Sequence, residues 1–221
     1  MLTGKQFKRA FISGANNILN HRKDVDALNV FPVPDGDTGT NMSMTSSAAV
    51  RELQVVSDDE DLSIVAAKTA AALLRGARGN SGVILSLVFR GISNGFKGKK
   101  EVGGKDLAAA LTLGKESAYK AVMKPTEGTI LTVVRKAAAA AEALALDDCG
   151  AVLDEAYRAA QEALAETPEL LPVLKEAGVV DAGGQGFLYI LDGIRGYINE
   201  GKFIESNDDA SPAKSNAEES K

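Results

Sequence analysis

The chain has no tryptophan, one cysteine and one histidine, and aromatic residues fill only 5% of its 221 positions. With Cys149 alone an internal disulfide is excluded, which suits a reducing cytosol. The thiol sits beside Asp147 and Asp148 with no base near it in sequence, so it reads as inert. His21, at the end of a helical pattern, reads as a helix C-terminal dipole partner rather than a catalyst. No stretch reaches the roughly 20 uninterrupted apolar residues of a membrane span, and the first five residues carry no apolar signal core, so a cytoplasmic protein is the expectation. Alternation of apolar and polar residues is missing as well, which removes a sheet as the organising architecture. A net charge of −5 argues against a general nucleic-acid surface.

What the chain does have is alanine and helical periodicity, with 45% hydrophobic residues to build a core. Phe7, Phe11, Ile12, Ala15, Ile18 and Leu19 recur at helical spacing and predict a first helix over 6–21. Further helices are predicted over 40–53, 62–74, 83–89, 106–123, 131–144, 148–166, 169–177 and 187–200, so the fold class is all-α. The glycine- and lysine-rich stretch 91–104 reads as an exposed loop, and Thr167-Pro168 as the start of the helix over 169–177. Residues 1–203 form one domain in this reading. From 204 the chain turns polar and Pro/Ser-rich, which predicts a disordered tail or interdomain linker over 204–221.

Residues 29–42, Asn-Val-Phe-Pro-Val-Pro-Asp-Gly-Asp-Thr-Gly-Thr-Asn-Met, organise the rest. Two prolines stiffen an extended run, in which Asp35 and Asp37 face the same side and repel unless a cation lies between them. Gly36 is read as allowing close backbone approach and Gly39 as permitting a tight turn. Thr38, Thr40 and Asn41 are good N-caps, so a helix begins just after the carboxylates with unpaired amides pointing back at them. That combination suits a magnesium-bound anion such as a nucleotide phosphate. An acidic turn before a capped helix explains the same residues without a ligand. An EF-hand is disfavoured, because its fifth and twelfth positions would be Gly39 and Met42.

Three more loops open helices in the same manner. Arg75-Gly76-Ala77-Arg78-Gly79-Asn80-Ser81-Gly82 frees backbone amides but lacks the spacing of a P-loop. Lys124-Pro125-Thr126-Glu127-Gly128-Thr129 is a turn in which Thr129 is a candidate cap. Gly178-Val179-Val180-Asp181-Ala182-Gly183-Gly184 is acidic and glycine-rich. In a bundle with short connections every second loop lies at one end, which gathers the first three, and the last joins them if the short helix over 169–177 is counted in the series.

Residues 29–42, 76–86, 118–132 and 179–186 together resemble the N-terminal nucleotide-binding domain of bacterial fatty acid kinase. That domain is similar to the ATP-binding L subunit of dihydroxyacetone kinase, and the resemblance covers about residues 5–200. It implies an antiparallel eight-helix barrel whose loops at one end hold ATP or ADP with two magnesium ions. It makes Asp35 and Asp37 the catalytic metal ligands. Asn29 stands near where those L subunits have a third aspartate; an amide ligates more weakly, which leaves the second metal absent or held partly by phosphate. Thr38 stands where they have a histidine. The nucleotide contacts it implies are Thr38, Asn41, Met42, Asn80, Ser81 and Gly82 toward the phosphates, Thr126, Gly128 and Thr129 at the adenine or ribose, and Asp181 and Gly183 on the opposite rim. The implied partners are a fatty-acid-binding protein presenting the acyl substrate and further C-terminal domains, with a homodimer left open. An L subunit of dihydroxyacetone kinase and a non-catalytic nucleotide sensor are the alternatives.

Overall fold

The computed structural model describes residues 1–208. In chain order, β1 (Leu2–Thr3) leads into α1 (Gly4–Asn20), α2 (Arg22–Leu28), α3 (Thr38–Leu53), α4 (Leu62–Gly76) and α5 (Gly79–Gly95). There follow β2 (Glu101–Val102), α6 (Gly104–Ala121), α7 (Ile130–Leu144), α8 (Cys149–Leu170), α9 (Pro172–Ala177) and α10 (Ala182–Glu200). Eight of these helices are long, and each packs on the next around a ring that closes where α10 meets α1. Successive long helices run in opposite directions, because short connections leave the chain no other way back. The all-α, eight-helix expectation therefore holds, with α2 and α9 as short additions.

The apolar stripe of α1 faces the inside of the ring: Phe11 and Ile18 are essentially inaccessible. Phe11 meets Phe89 of α5 edge-on at 5.2 Å between centroids, and Phe7 meets Phe96 at 6.1 Å. Thr3 and Gln6 form a reciprocal capping box that starts α1. Gly14 of α1 and Gly193 of α10 let the two backbones touch, since a Cβ at Gly193 would stand 2.5 Å from the Gly14 Cα.

The stretch read as an exposed loop is largely structured. Helix α5 persists to Gly95, Phe96 is fully buried, and Leu2 pairs with Val102 in a two-stranded antiparallel ribbon. Gly91 and Gly95 lie within the helix because α6 passes against them: a Cβ at Gly95 would be 2.8 Å from Ala110 Cα. Helix α8 likewise runs through Thr167-Pro168 to Leu170. Proline cannot donate to the Leu164 carbonyl, and the Thr167 hydroxyl does so instead at 2.7 Å. Residues 204–208, assigned to the tail by composition, lie along α1; the rest of that expectation, 209–221, lies outside the described residues. None of the described helices is long and apolar enough to cross a membrane.

Candidate functional site

The first loop is held from below by α2. Asn29 is buried, and its amide oxygen accepts from Asp37 N at 3.1 Å and Thr38 N at 3.2 Å while its Nδ2 donates to Val33 O. Asp26 accepts from Thr40 N at 2.9 Å and from the Thr40 hydroxyl at 2.7 Å. These two side chains, neither of them adjacent in sequence, cap α3 and start it at Thr38 rather than Thr40. Asn29 therefore acts as a cap here, with both lone pairs of its amide oxygen engaged. In the first turn of α3 Thr38 and Thr40 have their amides satisfied, and Gly39 N–H has no acceptor among the described residues.

The two glycines exchange their expected roles. Gly36 has φ +68° with open space around it, so it supplies the left-handed turn. Gly39 is the close approach, because a Cβ there would run into the Arg22 carbonyl oxygen at the start of α2. Asp35 is exposed and Asp37 half-buried, and neither carboxylate takes a hydrogen bond or ion pair from any described residue. Among the described residues no cluster of three acidic, histidine or cysteine side chains is arranged to hold a metal by itself.

The second loop meets the first through Asn41, whose Nδ2 lies against Gly79, a residue with φ +64°. Thr45, one turn further along α3, donates to Asn41 O and accepts from Arg78 N at 3.0 Å, so one hydroxyl ties both loops. Helix α5 starts at Gly79, not at residue 83, which places exposed Asn80 and half-buried Ser81 in its first turn. The amides of Gly79, Asn80 and Ser81 have no acceptor among the described residues. Gly82 N–H donates to Arg78 O at 3.1 Å, and the residue is buried against Thr45. Met42 is fully buried, with its thioether in the space that Gly186 of α10 leaves.

The third and fourth loops are joined by Asp181. This buried carboxylate caps α10 through Gly184 N at 2.8 Å and lies beside the Ile130 amide at the start of α7, while Asp181 N donates to Thr167 Oγ1. Gly183 is wedged between the two helix starts, near Ile130 Cβ. Thr129 caps α7 by accepting from Leu131 N and donating to Thr126 O. Gly128, at φ +85°, spends its amide on Thr132 and abuts the end of α8 at Leu171 and Thr167. Glu127 is no idle turn residue. It receives hydrogen bonds from Tyr119, Thr132 and Arg135. Burial pushes its carboxyl up, but these three donors outweigh that and hold it below the usual range.

Four helix N-termini, those of α3, α5, α7 and α10, thus meet at one end of the ring, each carrying about half a positive charge. The α7 and α10 ends are mostly capped from within, whereas α3, which follows Asp35 and Asp37 directly, and α5, which meets α3 at Asn41 and Thr45, present open amides. Sequence reasoning missed Asp26, Thr45 and Thr167, which act across separations that carry no local signal. His21 donates Nδ1–H to the Asn17 carbonyl and stacks on Tyr189 at 4.3 Å, as a C-terminal partner. Cys149 is buried with its thiol pushed up by burial, in keeping with inertness.

Burial pushes the Asp181 carboxyl from 3.8 up to about 6, against the lowering effect of the two backbone donors. The native state therefore binds this proton more tightly than the unfolded chain. The cost of the buried charge is fully present above about pH 6 and is relieved as pH falls toward 3.8. Asp181→Asn removes that titration. The stability of wild type relative to the variant is expected to rise on going from pH 7 to pH 4.5, by on the order of 2 kcal/mol, in paired urea titrations. A difference that is flat or falls over that window would refute it.

A model of the DAK2 domain matches residues 32–196. The chain is 50% identical over 194 residues to protein YloV of Bacillus subtilis, covering 87% of this chain and 35% of that protein. It is 46% identical over 194 residues to an uncharacterized protein of Staphylococcus epidermidis, with the same coverage of 87% and 35%. The chain therefore spans about a third of the length of the curated relatives it matches. Among solved structures, the dihydroxyacetone kinase from C. freundii in complex with AMP-PNP and Mg2+ superimposes with a TM-score of 0.65 at 19% identity, over 85% of this chain and 33% of that one. At that identity the likeness speaks for the fold.

Proposed function

We propose, from the premise that this chain belongs to the DAK2 domain family, that it is the ATP- and magnesium-binding domain of a kinase whose acceptor is a fatty carboxylate carried by a separate lipid-binding protein. The observation that supports the proposal is that α3 opens directly after two carboxylates that no described residue neutralises, with the N-terminus of α5 joined to it through Asn41 and Thr45. Helix amides attract an anion, and unpaired carboxylates attract a cation; a magnesium-bound phosphate supplies both in one ligand.

The donor set fits that group. Magnesium is commonly held by one or two carboxylates, with phosphate and water oxygens completing its shell, so Asp35 and Asp37 suffice without a third protein carboxylate. When bound, magnesium neutralises charge on the phosphate oxygens and aligns them for transfer. The protein's part is to hold and orient. Asp35 and Asp37 ligate the metal, and Asn29 and Asp26 keep the loop that carries them. The amides of Gly39, Gly79, Asn80 and Ser81, with the side chains of Thr38, Asn41, Asn80 and Ser81, take the phosphates. Thr126, Gly128 and Thr129 border the base or ribose, and the Asp181 staple with Gly183 closes the other side.

None of the four loops carries a histidine to take a proton from a hydroxyl. A fatty carboxylate is already ionised at neutral pH and needs no such base, whereas a sugar hydroxyl does. That favours an acyl phosphate product. The likeness of the fold to a dihydroxyacetone kinase keeps a second reading, an L subunit acting with a sugar-binding partner. Thermal denaturation with Mg2+ and ATP tests the core of the proposal: nucleotide at about 100 times its Kd raises stability by roughly 2.7 kcal/mol, visible as a clear rise in Tm. An unchanged Tm at millimolar ligand would sink it. Incubation with ATP and either a loaded fatty-acid-binding protein or a dihydroxyacetone-binding subunit separates the two acceptors. Turnover is expected to be slow without the remaining two thirds of the polypeptide present in the relatives.

A further inference from the structure

After α10 the chain reverses. Gly201, at φ +64°, closes the helix, with Gly201 N on Tyr197 O and Lys202 N on Gly196 O. Phe203 then packs edge-on against Tyr197, and residues 204–208 run along α1 toward the end of the ring where the four loops meet. Ile204 N donates to the Ser13 hydroxyl at 3.0 Å, and Asn16 Nδ2 donates to Ile204 O at 2.9 Å. Asn20, the last residue of α1, uses both ends of its amide: Nδ2 donates to Glu205 O and Oδ1 accepts from Asn207 N, each at 2.9 Å. Ser206 is fully buried, and Arg22, the first residue of α2, stands 3.8 Å from Asp208.

We infer that residues 204–208 are a positioning strap for the carboxylate loop. The strap grips the junction between α1 and α2 at Asn20 and Arg22. From there α2 reaches the site by three routes: the Arg22 carbonyl seated on Gly39, Asp26 on Thr40, and Asn29 just beyond α2 on Asp37 and Thr38. Helix α2 has only seven residues, one of them buried, so it is too short to hold its own place. A contact that fixes its first residue fixes the frame from which Asp35 and Asp37 hang. The inference rests on the metal reading of those carboxylates for its effect on binding, and on the geometry alone for its effect on α2.

Two variants of the full chain separate positioning from plain stability. Asn20→Ala breaks the strap at the α1–α2 junction; Ser13→Ala breaks it at the other end, far from α2. Both are expected to lower Tm by a few degrees. Asn20→Ala alone is expected to raise the Mg2+ concentration needed for half-maximal ADP binding by about tenfold, two lost hydrogen bonds being enough for a change of that size. It is also expected to speed amide exchange at Val25, Asn29 and Thr40, measured without any ligand. Equal Mg2+ requirements in the two variants, or unaltered exchange at those three amides in Asn20→Ala, would overturn the strap. A wild-type chain that binds no Mg·ADP while Asn20→Ala still loosens those amides would count against the nucleotide reading and leave the strap standing.

Discussion

Replacing Asp35 and Asp37 together by asparagine is expected to abolish magnesium-dependent nucleotide binding while changing the stability of the unliganded protein by no more than about 0.5 kcal/mol. The two effects have one cause. Neither carboxylate has a partner among the described residues, so the folded chain loses no hydrogen bond or ion pair when they are neutralised. Surface changes of this kind lie within about 0.5 kcal/mol. Binding is another matter. Each charged contact to a ligand is worth roughly 1.5–3 kcal/mol, so removing both costs about 3–6 kcal/mol, or on the order of 10²–10⁴ in Kd. Calorimetric titration with ADP at saturating Mg2+, beside a melting curve of the free protein, reads both quantities. Retained affinity in the double variant would remove these residues from the site.

Gly39→Ala is expected to be the most disruptive single methyl group in the site. Near the N-terminus of a helix, alanine in place of glycine would ordinarily stabilise by up to about 1 kcal/mol. Here the added carbon meets the Arg22 carbonyl oxygen and comes 2.9 Å from Val25 Cβ. A backbone carbonyl has no rotamer to change, so α2 and α3 must part. Overpacking against backbone costs roughly 1–3 kcal/mol or somewhat more, which exceeds the propensity gain. The separation also pulls Asp26 from Thr40 and Asn29 from Thr38, so Mg·nucleotide affinity should fall along with the urea midpoint. Gly36→Ala is the control: it has open space but φ +68°, and should cost about 1 kcal/mol through the backbone alone. If Gly39→Ala melts at or above the wild-type temperature, the close approach of α2 to α3 is not what the structure indicates.

Much of the fold was legible because helical amphipathicity is local. Phe7, Phe11, Ile12, Ala15 and Ile18 are all buried, and each long helix overlaps its predicted span, though α5 runs well past its expected 83–89 at both ends. The exceptions share a cause. Gly91 and Gly95 read as loop residues because glycine disfavours helix, yet the pressure of α6 against that face requires them there. Pro168 read as a helix start, yet the Thr167 hydroxyl satisfies the carbonyl that proline leaves open and lets α8 continue.

The candidate site divides the same way. By itself the sequence determined that four glycine-rich loops open helices and that one of them carries two carboxylates two residues apart, since turn chemistry and strand period act between near neighbours. Only the tertiary structure decided which glycine turns the chain and which admits a neighbouring backbone, that Asn29 and Asp26 cap α3, and that Asp181 joins α7 to α10. Each of those depends on a group brought from a distant part of the chain, and the position of that group is set by how the whole ring closes rather than by the residues beside it.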